Sequence, residues 1–416
     1  MQTFIRKNPL AVIFLTVFVD LLGYGILIPV VPLLLTDPTS PYFLLPAGWS
    51  VGQGYFLLGV LLATYPLGQF FSAPILGQLS DQFGRKRILA VSLAGTCLGY
   101  VLFAVGVLLH NIPLLFASRL LDGLTGGNFA VAMASIADVS KPEHRAKNFG
   151  LIGAAFGLGF ILGPYLGGKL SDPNVLAWFS AATPFWFSAL LSSLNIVSIL
   201  AFFPETRPTR TPWSALDWGK SVKNIFTAFK IPGAQLLFGT TFLINAGFTF
   251  FITFFSVFMI KRFGFQQGEI GDFFSYVGLW VVITQGLIVR QVAGRFSEAS
   301  ILKFSIPVLG VAVLLHFLPN GWSGLLLVAP VLAVANGLTQ ANLSGLISRS
   351  VGPEVQGEVM GISSSLAAVA QTVPPLLSGV IAAVLTPAAP IAVGALVLLL
   401  AGVLFAVRYR PAAAST

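Results

Sequence analysis

Long apolar runs separated by short polar breaks dominate the chain, and each run is long enough to cross about 30 Å of hydrocarbon as a helix. Six fall near 9–35, 55–79, 88–109, 113–138, 148–170 and 178–203, and six more near 236–260, 270–293, 299–318, 323–348, 357–382 and 387–407. Spans 1 to 12 denote these runs in chain order. Between the two sets a polar stretch, 204–235, holds five basic residues. The pattern predicts an all-α integral membrane protein with one bundle at 1–203, a linker at 204–235 and a second bundle at 236–416. The first run follows Arg6 and Lys7, is too long for a signal-peptide core and lacks a small-residue cleavage site, so it is read as a retained span.

Composition agrees with this reading. Of 416 residues 56% are hydrophobic and 9% charged, with a mean hydropathy of +0.89, whereas soluble domains carry roughly 25% charged residues. The solvent is therefore lipid. The net charge of +9 does not point to nucleic acid, because the basic residues sit in short clusters between apolar runs. With the N-terminus inside, 19 of the 23 Lys and Arg lie on the cytoplasmic side; Lys169, Lys261 and Arg262 fall outside and Arg119 lies within span 4. That bias predicts a bacterial inner-membrane protein with both termini cytoplasmic. Cys97, the single cysteine, can form no intrachain disulfide. His110, His144 and His316 have no metal-ligand company. The chain shows neither an ATP-binding loop nor a nucleophile and base constellation, so no enzyme and no cofactor are expected. Most of the 37 phenylalanines are expected to face lipid.

Within the linker, Val222, Ile225, Phe226 and Phe229 share one helical face while Lys220, Lys223 and Lys230 lie away from it. This predicts an amphipathic helix on the inner leaflet, the alternative being a solvated connector. The two halves also repeat. Gly123-Leu124-Thr125 with Asn128 recurs as Gly337-Leu338-Thr339 with Asn342. After a loop three residues shorter, Pro142-Glu143, Gly150, Pro164 and Gly168 recur as Pro353-Glu354, Gly361, Pro375 and Gly379. Spans 4 and 5 are thus related to spans 10 and 11 in the same topology, the arrangement of two parallel six-helix repeats.

Three stretches carry candidate chemistry. The break after span 2 reads Gly77-Gln-Leu-Ser-Asp81-Gln82-Phe-Gly84-Arg85-Lys86-Arg87; its Asp and Arg can lock a short cytoplasmic loop, and Asp138 at the inner end of span 4 is placed to pair with Arg85. At about 1.5 Å per residue, Asp20 lies roughly 16 Å into span 1, and Arg119 and Asp122 lie roughly 9 and 13 Å into span 4, so the three charges share nearly one depth. Ionised groups there must pair or face water. The arginine does not deprotonate, whereas either carboxylate can take a proton. Asp20 and Asp122 are expected to compete for Arg119, with proton uptake, on Asp20 by preference, favouring a different packing of the halves; a static ion-pair cluster is the alternative. Span 5 carries Gly159, Gly163, Pro164, Gly167 and Gly168, a small-residue face on a proline-softened helix suited to sealing against a neighbour.

These stretches resemble the major facilitator superfamily. The loop is similar to its signature G-x-L-x-D-R-x-G-R-K, except that Gln82 stands where Arg is usual, and in the family it is a latch that breaks and reforms as the halves rock. Arg119-x-x-x-Gly123-x-x-x-Gly127 resembles the span 4 signature of proton-coupled members, and the span 5 glycines resemble the antiporter signature. The resemblance is to twelve-helix drug:proton antiporters of the tetracycline-efflux type, and it is concentrated in the first half. It implies a monomeric carrier driven by protons, exporting hydrophobic or amphipathic small molecules by alternating access. A tetracycline carrier would have ionisable residues in spans 8 and 9; here span 8 offers Gln285 and span 9 only His316, so tetracycline is an example of a substrate. The loop between spans 8 and 9, Arg295-Phe-Ser297-Glu298, has lost the latch pattern. Tyr24, Tyr65, Gln69, Asn128, Asn245, Phe248, Phe251, Gln285, Asn336, Gln340 and Gln371 are the candidate cavity residues, each equally able to bond a neighbouring helix instead. An importer or facilitator of a nutrient, metabolite or lipid-like solute is the competing reading.

Overall fold

The computed structural model describes residues 9–141, 144–207, 212, 215–228, 230, 235–349 and 356–409. Twelve of its helices are long and apolar enough to cross a membrane. In the first half they are Pro9–Thr36, Val51–Phe83, Arg85–Leu108, Ile112–Val139, Leu151–Leu170 and Thr183–Phe202. In the second they are Gln235–Phe263, Gln267–Ala293, Glu298–Leu315, Trp322–Ile347, Gly361–Val384 and Ala389–Arg408. These are spans 1 to 12. Side-chain caps open some of them: the Ser50 side chain accepts from the Gln53 backbone in a capping box that opens span 2, and the Asn111 side chain accepts from Leu114 to open span 4.

Two compact units divide the chain, Met1–Lys220 with Phe265–Ser275, and Ser221–Gly264 with Tyr276–Thr416. The start of span 8 belongs to the first unit because it packs backbone to backbone on span 5. The core of that unit is drawn from spans 1, 3, 4 and 6, with Val12, Ile13, Val17, Leu89, Leu93, Val131, Ile136 and Phe203 buried together. Leucine and valine at helical spacing on its outside, such as Leu190, Leu194 and Val197 of span 6, are exposed, as a surface against hydrocarbon requires.

The second unit has a different core. Phe250, Phe251, Phe254, Phe255 and Phe258 of span 7 are buried, and the His316 ring sits 5.5 Å from that of Phe251 and 5.1 Å from that of Phe255. Span 7 meets span 12 where Gly247 and Gly394 face each other, a Cβ on either falling within 3 Å of the other's carbonyl oxygen. The expectation that phenylalanine mostly faces lipid is therefore corrected. Among the described residues Phe56, Phe71, Phe226, Phe296 and Phe304 are exposed; many others stack within the units, where flat rings fill the gaps between helices.

Two predicted spans are not regular. Span 4 is two helices, Ile112–Thr125 and Asn128–Val139, broken at Gly126 and Gly127. Span 8 passes through a π-helical turn at Thr284–Ile288, a feature that periodicity does not reveal. In the linker, Lys220–Ala228 is a helix. Ser221 and Ala228 are buried and Asn224 donates to Ser365 of span 11 at 3.1 Å, while Val222 and Phe226 point outward, Phe226 being 65% exposed. Phe229 of the predicted apolar face lies outside the described residues, as do Pro142, Glu143, Pro353 and Glu354 of the repeat.

Candidate functional site

Within the first unit, spans 1 to 4 enclose a cavity lined by Asp20, Tyr24, Tyr65, Thr96, Tyr100, Arg119, Asp122 and Gly126, with about the space of one water molecule. Close helix approach makes it. Gly68 and Gly123 bring spans 2 and 4 together, since a Cβ on Gly68 would lie 2.9 Å from the Gly123 backbone. A Cβ on Gly99 would lie 3.0 Å from the Asp122 side chain, which sets span 3 against span 4. Arg119 and Asp122, each 3% exposed, form an ion pair of 3.1 Å. The guanidinium also lies over the rings of Phe103 at 4.9 Å and Tyr100 at 5.5 Å, where aromatic faces help replace its lost hydration.

Asp20 is brought to the same cavity but, among the described residues, makes no ion pair. Its Oδ1 is buried without a hydrogen-bond partner, as is the Nδ2 of Asn128. Arg119 thus belongs to Asp122, and Asp20 stands beside the pair. With all three groups ionised the cluster carries one net negative charge, and one proton neutralises it. A buried, uncompensated carboxylate that one proton discharges is suited to proton uptake and release.

The predicted latch is assembled at the end of span 2. Gly84 adopts φ 99°, a backbone conformation that favours glycine, and turns the chain sharply into span 3. The turn carries Arg85 inward, where its guanidinium meets Asp81 at 2.8 Å and Asp138 at 3.0 Å and also reaches the Ser80 hydroxyl. Lys86 is half-buried beside it, and a Cβ on Gly77 would meet nothing.

Three residues that the sequence reading did not single out complete the latch. Glu205 accepts from the backbone N–H groups of Arg85 at 2.9 Å and Arg207 at 3.1 Å, and fills the space that a Cβ on Gly84 would need. Thr206 donates to Asp138 at 3.4 Å. Arg207 meets Asp81 at 2.8 Å, so a guanidinium from the end of span 6 serves the loop in which Gln82 replaces the usual arginine. The available signal was a pair of opposite charges directly after an apolar run.

The span 5 glycines face two partners. Gly159, Gly163 and Gly167 lie against span 1: a Cβ on Gly163 would come within 2.8 Å of both the Leu22 carbonyl and Gly25. Pro164 and Gly168 lie against the start of span 8, where a Cβ on Gly271 would be 2.6 Å from the Pro164 carbonyl. Lys169 and Asp272 extend that seam with an ion pair of 2.9 Å, and Ser275 donates to the Ile161 carbonyl at 3.0 Å.

The other candidate cavity residues are dispersed. Tyr24, 42% exposed, and Tyr65 have ring centroids 6.2 Å apart at the cavity. Gln69 donates to the Gly126 carbonyl at 2.9 Å. In the second unit Phe251 is core and lies 5.9 Å from Phe248. Asn245 donates to the Thr241 carbonyl of its own helix. Gln285 is exposed on the π-helical turn, while Asn336, Gln340 and Gln371 are half-buried. Thr96 and Tyr100, which line the cavity from span 3, were missed, although their spacing of four in an apolar run was a readable signal.

Comparison with known proteins agrees with the geometry. The sequence matches the Major Facilitator Superfamily over residues 13–373. It is 32% identical over 380 residues to the tetracycline resistance protein, class H, of Pasteurella multocida, across 89% of this chain and 88% of that one. The crystal structure of the human organic anion transporter MFSD10 (TETRAN) is similar with a TM-score of 0.72 and 26% identity, over 96% of this chain and 99% of that one. A D-xylose-proton symporter is similar with a TM-score of 0.75 and 15% identity, over 97% of each chain, a likeness of fold alone.

Proposed function

The chain belongs to the Major Facilitator Superfamily and is a multi-pass membrane transporter of small molecules, not an enzyme, and on that premise we propose that it exports hydrophobic or amphipathic compounds, drugs among them, in exchange for protons. The observation that carries this reading is the buried cluster in which Asp20 stands unpaired beside the Arg119–Asp122 ion pair. A carrier without ionic coupling has no use for an uncompensated carboxylate at that depth, which is costly wherever it is not functional. The resistance proteins that the chain resembles over most of its length support export of drugs. The protein acts as a monomer in a bacterial inner membrane with both termini cytoplasmic. Export proceeds by alternating access, in which the cluster takes a proton when open to one side and releases it when open to the other. The arginine keeps Asp122 compensated throughout, so the exchangeable proton falls to Asp20.

Everted membrane vesicles test the proposal. When tetracycline, or a cationic amphipathic dye, is added to vesicles holding an established interior-acid gradient, part of the acidification is expected to reverse as protons leave in exchange for drug. Sugars and amino acids are expected to leave the gradient untouched. Proton flux with a sugar or an amino acid and none with any drug contradicts export.

A further inference from the structure

The break in span 4 lies between the two devices of the first unit. Arg119 and Asp122 sit on the outer piece, Ile112–Thr125; Asp138, which pairs with Arg85 at 3.0 Å, sits near the far end of the inner piece, Asn128–Val139. We propose that Gly126 and Gly127 form a hinge, and that the inner piece is a lever carrying the protonation state of the Asp20 cluster to the cytoplasmic latch. The inference rests on the reading of that cluster as the proton site.

Three observations support it. First, neighbouring spans hold the carbonyls around the break: Gln69 donates to Gly126 and Ser72 to Gly123, both at 2.9 Å, and Ser92 donates to Thr125. The break is thus a built feature, three of whose carbonyls accept from side chains of spans 2 and 3. Second, close packing explains the glycines but not the break. A Cβ on Gly127 would lie 2.8 Å from the Ala73 Cα, yet a continuous helix accommodates glycine equally well. Third, Asn128 begins the lever and is buried, and its Nδ2, like the Asp20 Oδ1, is buried without a hydrogen-bond partner.

Proton uptake on Asp20 discharges the cluster beside the start of the lever, which no hydrogen bond from the Asn128 amide holds in place. Asp138 lies about 15 Å along the inner piece, so a tilt of about 10° moves it by roughly 2.6 Å, enough to break its ion pair with Arg85. The titratable and charged groups facing the cluster are Asp20 and Tyr24 from span 1, Tyr65 from span 2, Tyr100 from span 3, and Arg119 and Asp122 from span 4. Those at the latch are Asp81, Arg85, Asp138, Glu205 and Arg207.

The test reads both ends of the lever in one protein. A cysteine replaces Ala137, which is half-buried beside Asp138, in a Cys97→Ser background, and its reaction with a water-soluble maleimide, expressed at each pH relative to that of a small free thiol so that the loss of thiolate on acidification cancels, reports latch opening. The infrared band of protonated carboxyl, assigned by its loss in Asp20→Asn, reports the cluster. Lowering the pH through the range in which that band appears is expected to speed labelling about fivefold in the parent. The paired change Gly127→Ala with Ala73→Gly favours a continuous helix; the added Cβ would lie 2.7 Å from the Leu76 Cδ1 and 2.8 Å from the Ala73 Cα, and the freer backbone of a glycine at 73 lets that contact relax. In that variant the infrared titration is expected to persist while labelling becomes independent of pH. Gln69→Ala, which removes a cap from the break without adding bulk, is expected to give fast labelling at every pH. Labelling in the exchange variant that follows pH as in the parent, or parent labelling that ignores pH while the band titrates, overturns the hinge. Absence of any band lost in Asp20→Asn overturns the reading of the cluster, and the hinge with it.

Discussion

Spans 4 and 10 carry the same Gly-Leu-Thr-x-x-Asn signature, at Gly123 and at Gly337, and fold differently. Span 10 runs unbroken from Trp322 to Arg349, and its Asn342 donates to the Leu338 carbonyl of its own helix at 2.7 Å. Span 4 stops at Thr125 and restarts at Asn128, whose buried Nδ2 makes no hydrogen bond to its own helix or to any neighbour among the described residues. Where span 4 has Arg119, Asp122 and Gly126-Gly127, the repeat places Ala333, Asn336 and Gln340-Ala341 in span 10. The second copy has kept the helix-packing glycine and lost both the charges and the break. Charge and break occur together in one copy and are absent together from the other, as expected if they serve one purpose.

That contrast is broken most severely by Arg119→Ala. It leaves Asp122 buried without its partner, so uphill transport is expected to vanish and stability in detergent to fall by about 3–5 kcal/mol, read by thermal unfolding. The latch gives a smaller effect. Arg85→Ala removes charge-assisted bonds to Asp81 and Asp138 and is expected to cost about 1.5–3 kcal/mol while raising accessibility at the inner end of span 4. Transplanting the break sharpens the comparison further. Gln340→Gly with Ala341→Gly in span 10 is expected to cost roughly 1–2 kcal/mol from helix propensity, and, with no charges nearby, to leave the pH dependence of transport unchanged. The smallest effect belongs to Arg349→Ala, whose partner Glu298 stands 3.5 Å away in the second unit's reduced counterpart of the latch. Because Arg349 is 79% exposed, the loss is expected to stay below about 1 kcal/mol.

Much of this was readable in the sequence, for physical reasons that differ by residue. Twelve spans follow from run length, since lipid leaves the backbone little choice but helix. The pairing of Arg85 with Asp81 and Asp138 followed from the loop signature and from the inward course of span 4. The depth of Asp20, Arg119 and Asp122 followed from helical rise, and their meeting at one cavity followed from depth. Which carboxylate holds the arginine did not follow, because two acids at one depth are equivalent until rotamers and helix faces are fixed. Nor did the part played by Glu205 and Arg207, which depends on where the chain leaves span 6. The phenylalanines of span 7 looked like a lipid face because hydropathy does not distinguish a helix wrapped in acyl chains from one wrapped in rings. Span 4 read as continuous because a Gly-Gly pair is tolerated within an apolar run; the break depends on donors from Gln69, Ser72 and Ser92 that only tertiary structure supplies.

The central claim is that Asp20 carries the proton that the carrier exchanges for drug. Its most direct test is drug-induced proton flux in everted vesicles containing the parent or Asp20→Asn at equal abundance, with downhill drug entry followed in parallel. The parent is expected to release protons from the vesicle interior on addition of drug. Asp20→Asn is expected to let drug equilibrate downhill with no proton flux and no accumulation. Proton release and uphill accumulation at parental rates in Asp20→Asn would contradict the account.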